Sequence, residues 1–139
     1  MLQPANRLVL LSAGVFTLSF FLPAFTITSG RTHESEDIPG YKALFIALTP
    51  FANNEAKHAG AIPPFICAFA NVAWLLAVFL YFTAGPSRAL AMLFLAIPLA
   101  SIYIFGGMRF GYYVWIGSMV MLAAACVLKL QAAHLKDDR

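Results

Sequence analysis

Charged residues and histidines divide this chain into long apolar runs. None lies between Arg7 and Arg31, between His58 and Arg88, between Arg88 and Arg109, or between Arg109 and Lys129. Within the runs the apolar character is continuous rather than alternating, the pattern of helices with few polar faces rather than of half-exposed strands. A helix rises about 1.5 Å per residue and the hydrocarbon layer is about 30 Å thick, so about 20 apolar residues suffice to cross it. The runs predict an all-α membrane protein, an antiparallel bundle of four transmembrane helices at about residues 8–27, 63–84, 88–105 and 112–130. They form a single transmembrane domain over residues 1–139. A membrane β-barrel would alternate apolar and polar positions and is excluded.

Punctuation supports these limits. Pro63 and Pro64 fall in the first turn of the second span, where a missing N–H is harmless, and Gly85 with Pro86 ends it. Ser87 is placed to cap the third span. The short connection makes spans two and three antiparallel neighbours, and Gly106, Gly107 and Gly111 permit a tight turn into span four. Pro98 should bend span three and release the carbonyl of Phe94. The first run begins like a signal peptide but continues through Phe25 without a small-residue cleavage site, so an uncleaved anchor is expected.

The external loop, residues 28–62, contains Glu34, Glu36, Asp37 and Glu55, four of the six acidic residues. Its apolar stretch at about 40–49, bounded by Pro39 and Pro50, is too short to span and predicts an interfacial helix lying over the outer bundle end. Upstream, Arg31-Thr32-His33-Glu34-Ser35-Glu36-Asp37 gathers metal-ligand types without a calcium-loop glycine or a second histidine, and reads as a solvated polar stretch with no metal. Asp37 is a candidate N-cap before Ile38 and Pro39.

Composition agrees with the pattern: 61% of residues are apolar and 11% charged, with mean hydropathy +0.79, whereas soluble domains carry about 25% charged residues. Lys and Arg placement then sets orientation. Arg7, Arg88, Lys129, Lys136 and Arg139 share one side in short exposed stretches, while Arg31, Lys42, Lys57 and Arg109 share the other, which puts both termini in the cytoplasm. The net charge of +3 suits anionic lipid surfaces.

Candidate chemistry is sparse. No span carries Asp, Glu, Lys, Arg or His at its middle, against the requirement of proton relays and coupled exchangers for intramembrane ionisable groups. Cys67 and Cys126 fall at opposite depths and cannot pair. The polar residues inside the spans are Ser12, Thr17, Ser19, Asn71, Ser101 and Ser118. Asn71 should seek a partner on another helix, with Trp74 one turn along on the same face. Ala96 and Ala100, with Gly117 and Ala124, would let helices approach closely. Arg109, beside Phe110, Tyr112, Tyr113 and Trp115, is placed to reach head groups or an acidic residue of the loop. Candidate ligand or partner contacts are therefore Asn71, Trp74, Arg109, Tyr112 and, on the loop helix, Tyr41.

Leu22-Pro23-Ala24-Phe25, Gly40-Tyr41 with Ala43-Leu44, and Gly111-Tyr112-Tyr113-Val114-Trp115 resemble, in order and over most of the chain, small bacterial four-helix integral membrane proteins with no assigned activity. The resemblance implies four spans in a bacterial inner membrane and transfers no catalytic residue. A glycine–arginine stretch, Gly106 to Tyr112, is similar to the signature of small fluoride channels but stands at the wrong end of the chain.

The expected function is non-enzymatic: an accessory or structural subunit binding another membrane protein or a copy of itself, without cofactor or nucleic acid. The alternative is a carrier for lipid or a small hydrophobic molecule, with Asn71 and Arg109 near its cavity. An enzyme is disfavoured because no nucleophile, acid and base can be assembled.

Overall fold

The first helix, α1, runs from Pro4 to Ser19 and then gives way to extended chain. Proline at its first position has no N–H to lose there. A tight turn closes its end, with the N–H groups of Phe20, Phe21 and Leu22 donating to the carbonyls of Thr17, Leu18 and Ser19. Pro23 cannot continue the helical ladder, and Phe25-Thr26-Ile27-Thr28 alternates with β-branched residues. Strand β1 therefore occupies Pro23–Thr28 and pairs antiparallel with β2, Ser35–Pro39. Residues 40–45 are helical. Helix α2 follows at Ile62–Thr83, α3 at Pro86–Ser101 and α4 at Phe110–Asp137. The computed structural model describes residues 3–28, 35–45, 62–101 and 109–137.

This arrangement corrects the expectation of four transmembrane helices. Among the described residues one helical stretch, Phe110–Leu135, has the length and apolarity to cross a bilayer, with 26 residues and a mean hydropathy of 1.8. Phe69–Thr83 within α2 and Pro86–Pro98 within α3 are apolar stretches below that length. The physical reason is plainest at the first run. An uncharged sequence of membrane length need not be one helix, and here it divides between the 16 residues of α1, about 24 Å long, and a strand. Asp37 lies within β2 rather than capping a helix, and Ser87 lies inside the first turn of α3, after Gly85 and Pro86.

Helix directions follow from paired residues. Asn6 meets Tyr81 and Phe16 meets Trp74, so α1 and α2 run antiparallel. Ser12 meets Ser118, and Gly111 meets Leu22, so α1 and α4 are antiparallel too. The two residues Ala84 and Gly85 join α2 to α3 as a hairpin. The N–H groups of both donate to the Leu80 carbonyl at 2.9 Å, and Gly85 takes φ 98°, a conformation that other residues adopt at a cost.

The core joins α1, α2, α3 and α4, and much of its lining is small. Ala70, Ala73 and Ala77 of α2, with Ala89 and Ala96 of α3, are buried, as are Ala125 and Cys126 of α4. Val9, Phe16, Trp74, Tyr81, Leu93, Met119 and Leu122 fill the wider gaps. Other large side chains of α2 and α3 point outward, among them Leu75, Phe79, Phe82, Phe94 and Leu95. Of the expected packing residues, Ala96 is buried, Ala124 is exposed, and Gly117 has open space where a Cβ would stand. The side chains of Ala100 and Cys67 lie outside the described residues.

Candidate functional site

Two places in the fold collect the polar and aromatic side chains. At the first, the indole N–H of Trp115 on α4 donates to Oδ1 of Asn71 on α2 at 2.8 Å. Tyr112 sits one turn before Trp115, its ring 5.6 Å away and tilted by 51°. Tyr112 is buried and Tyr113 exposed, their rings meeting edge to face. Trp74 lies one turn from Asn71 but serves another contact, stacking on Phe16 of α1 at 3.9 Å and 2°. Its indole nitrogen is buried without a hydrogen-bond partner among the described residues.

The helix-to-strand corner stands beside this group. Gly40 and Gly111 approach it from either side. A Cβ on Gly40 would stand 2.6 Å from the Ser19 carbonyl oxygen, and one on Gly111 would stand 2.6 Å from that of Pro23. The N–H of Gly40 donates to Leu22 and that of Tyr41 to Phe20, pinning the start of the 40–45 helix onto the end of α1. In β1 the register shifts between Pro23 and Phe25, an irregularity at Ala24. Its carbonyl accepts the N–H of Arg109 at 2.9 Å. The Arg109 side chain completes the junction with Asp37 of β2, Nε to Oδ1 at 3.2 Å, both groups half exposed.

The expected contacts thus do not form one pocket. Asn71 and Tyr112 join through Trp115, Trp74 packs on α1, and Arg109 ties the hairpin to α4. Tyr41 is held through its backbone with its ring outward. The hydroxyls of Ser19, Thr17 and Ser118 bond carbonyls of their own helices, whereas Ser12 donates across to the Ser118 carbonyl at 2.7 Å. The Ser101 side chain and His33 and Glu34 of the acidic stretch lie outside the described residues.

A second group, not anticipated from sequence, lies at the opposite end of the bundle. Tyr81 is buried, its hydroxyl donating to Asn6 Oδ1 at 3.0 Å, and Lys129 Nζ stands 4.2 Å from its ring centroid. The three residues are far apart in the chain and have no shared motif. The available signal was the placement of Asn6 early in α1 and of Lys129 late in α4, positions that antiparallel packing brings together.

No family model matches the chain, and neither a curated protein nor a solved structure does.

Proposed function

We propose that the protein is a non-enzymatic membrane subunit, held in the bilayer by α4 and binding another membrane protein or a second copy through the outward faces of α2 and α3. The observation that carries this reading is the apolar outer surface of these helices: Ala70, Ala73, Ala77, Ala89 and Ala96 face the core with Trp74, Tyr81 and Leu93, while Leu75, Phe79, Phe82, Phe94 and Leu95 face out, Phe94 being 74% exposed. Water drives large apolar side chains inward. In lipid that force is absent, and helices associate instead through small residues that permit close approach.

The ends of α4 support the same placement. Exposed Phe110 and Tyr113 mark its beginning, joined at that end by Phe21, Tyr41 and Phe45. Aromatic side chains favour the head-group level, and Lys129 follows Phe110 after about 28 Å of helix, close to one hydrocarbon thickness. By the positive-inside tendency, the end with Arg7, Arg88 and Lys129 faces the cytoplasm.

The test is photo-crosslinking in native membranes from a reactive residue at Phe94, followed by an alkaline carbonate wash. The expected result is a protein adduct that stays in the membrane pellet. Release of the chain by the wash would overturn membrane insertion, and adducts with lipid alone would overturn the subunit reading.

A further inference from the structure

The Tyr81 end of the bundle is rich in donors. Because Asn6 Oδ1 accepts the Tyr81 hydroxyl, the amide N–H groups of Asn6 are what it can offer a third group. Lys129 covers the ring of Tyr81 and Asn6 accepts its hydroxyl, so the ammonium and the amide are gathered on one tyrosine. Arg7, the next residue to Asn6, is exposed. The first turn of α1 contains no acidic residue, and its N-cap Gln3 makes no side-chain bond. Arg7 therefore adds positive charge where the helix dipole already favours an anion.

We infer that Lys129 and Asn6 bind the phosphate of an anionic phospholipid head group, with Arg7 adding positive charge at the same end of α1. This rests on the membrane placement above, which sets Lys129 at head-group level and makes lipid phosphate, rather than a soluble anion, the neighbouring ligand. Lys129 supplies the charge, Asn6 a directed donor, and Tyr81 holds both in place.

Native mass spectrometry of the full chain, released from micelles containing equal phosphatidylglycerol and phosphatidylcholine, tests the site. The wild type should retain phosphatidylglycerol preferentially. Lys129→Gln should lower that preference about fivefold, the contribution of one lysine near an anionic surface, and Lys129→Arg should keep it. Asn6→Asp preserves an acceptor for Tyr81 while opposing the phosphate, and should also lower the preference if Lys129→Gln fails to fold. Equal retention of both lipids by the wild type, or undiminished preference in Asn6→Asp, would overturn the proposal. Displacement of the lipid by inorganic phosphate would overturn its assignment to lipid. A chain that stays in carbonate-washed membranes but does not discriminate contradicts this site alone, whereas a chain that washes off contradicts the membrane placement.

Discussion

Gly40 and Gly111 act through what they lack. Each lets its own backbone come against the α1–β1 corner at a distance no Cβ tolerates, and the neighbouring atoms are backbone atoms that cannot rotate away. Gly40→Ala and Gly111→Ala should each destabilise the chain by about 1–3 kcal/mol, in the range of overpacked interiors. Gly117→Ala, with nothing within 4 Å, should be neutral or slightly stabilising because alanine favours helix. Thermal unfolding in a common detergent separates the three, and equal behaviour would refute the close approach. Residue chemistry was partly legible in the sequence. Asn71 does bond across helices, as an amide in an apolar helix demands, but its partner Trp115 is set by the rotation of α4. Small-residue spacing was also an incomplete guide, since Ala96 is buried while its expected counterpart Ala124 faces out.

At the scale of elements, uncharged length proved a poor measure of helix length. Pro23 and the alternation from Phe25 to Thr28 carry a strand signal inside an apolar run, and helix-length counting overrides it. The hairpin also depends on Ser35–Pro39, whose polar residues contribute little periodicity but supply backbone partners and Asp37. The β1–β2 register places Thr26 opposite Asp37, and directly opposed strand residues lie within reach of a disulfide. In a chain with Cys67 and Cys126 replaced by alanine, Thr26→Cys with Asp37→Cys should crosslink within the monomer under mild oxidation. A gel showing only free thiols would contradict the pairing. The ion pair of Asp37 with Arg109 adds little by itself, since both partners are half exposed. The backbone bond from Arg109 to Ala24 and the Gly111 contact hold the hairpin against α4, and the Gly40 contact holds it against the end of α1.

The whole molecule is a helical assembly in which α1 and the α2–α3 hairpin pack with α4, the long apolar helix. Its hydrophobicity was visible along the chain, but the partition into buried alanines and exposed leucines and phenylalanines required the helices to be set side by side. The proposed membrane placement puts lipid around that outer surface. The most direct measurement is the collision accessibility of a nitroxide at Val120, an exposed position of α4 midway between Phe110 and Lys129, in the chain reconstituted into vesicles. Membrane placement predicts high accessibility to oxygen and protection from a water-soluble nickel chelate. Accessibility to the chelate matching that of an aqueous helix would contradict it.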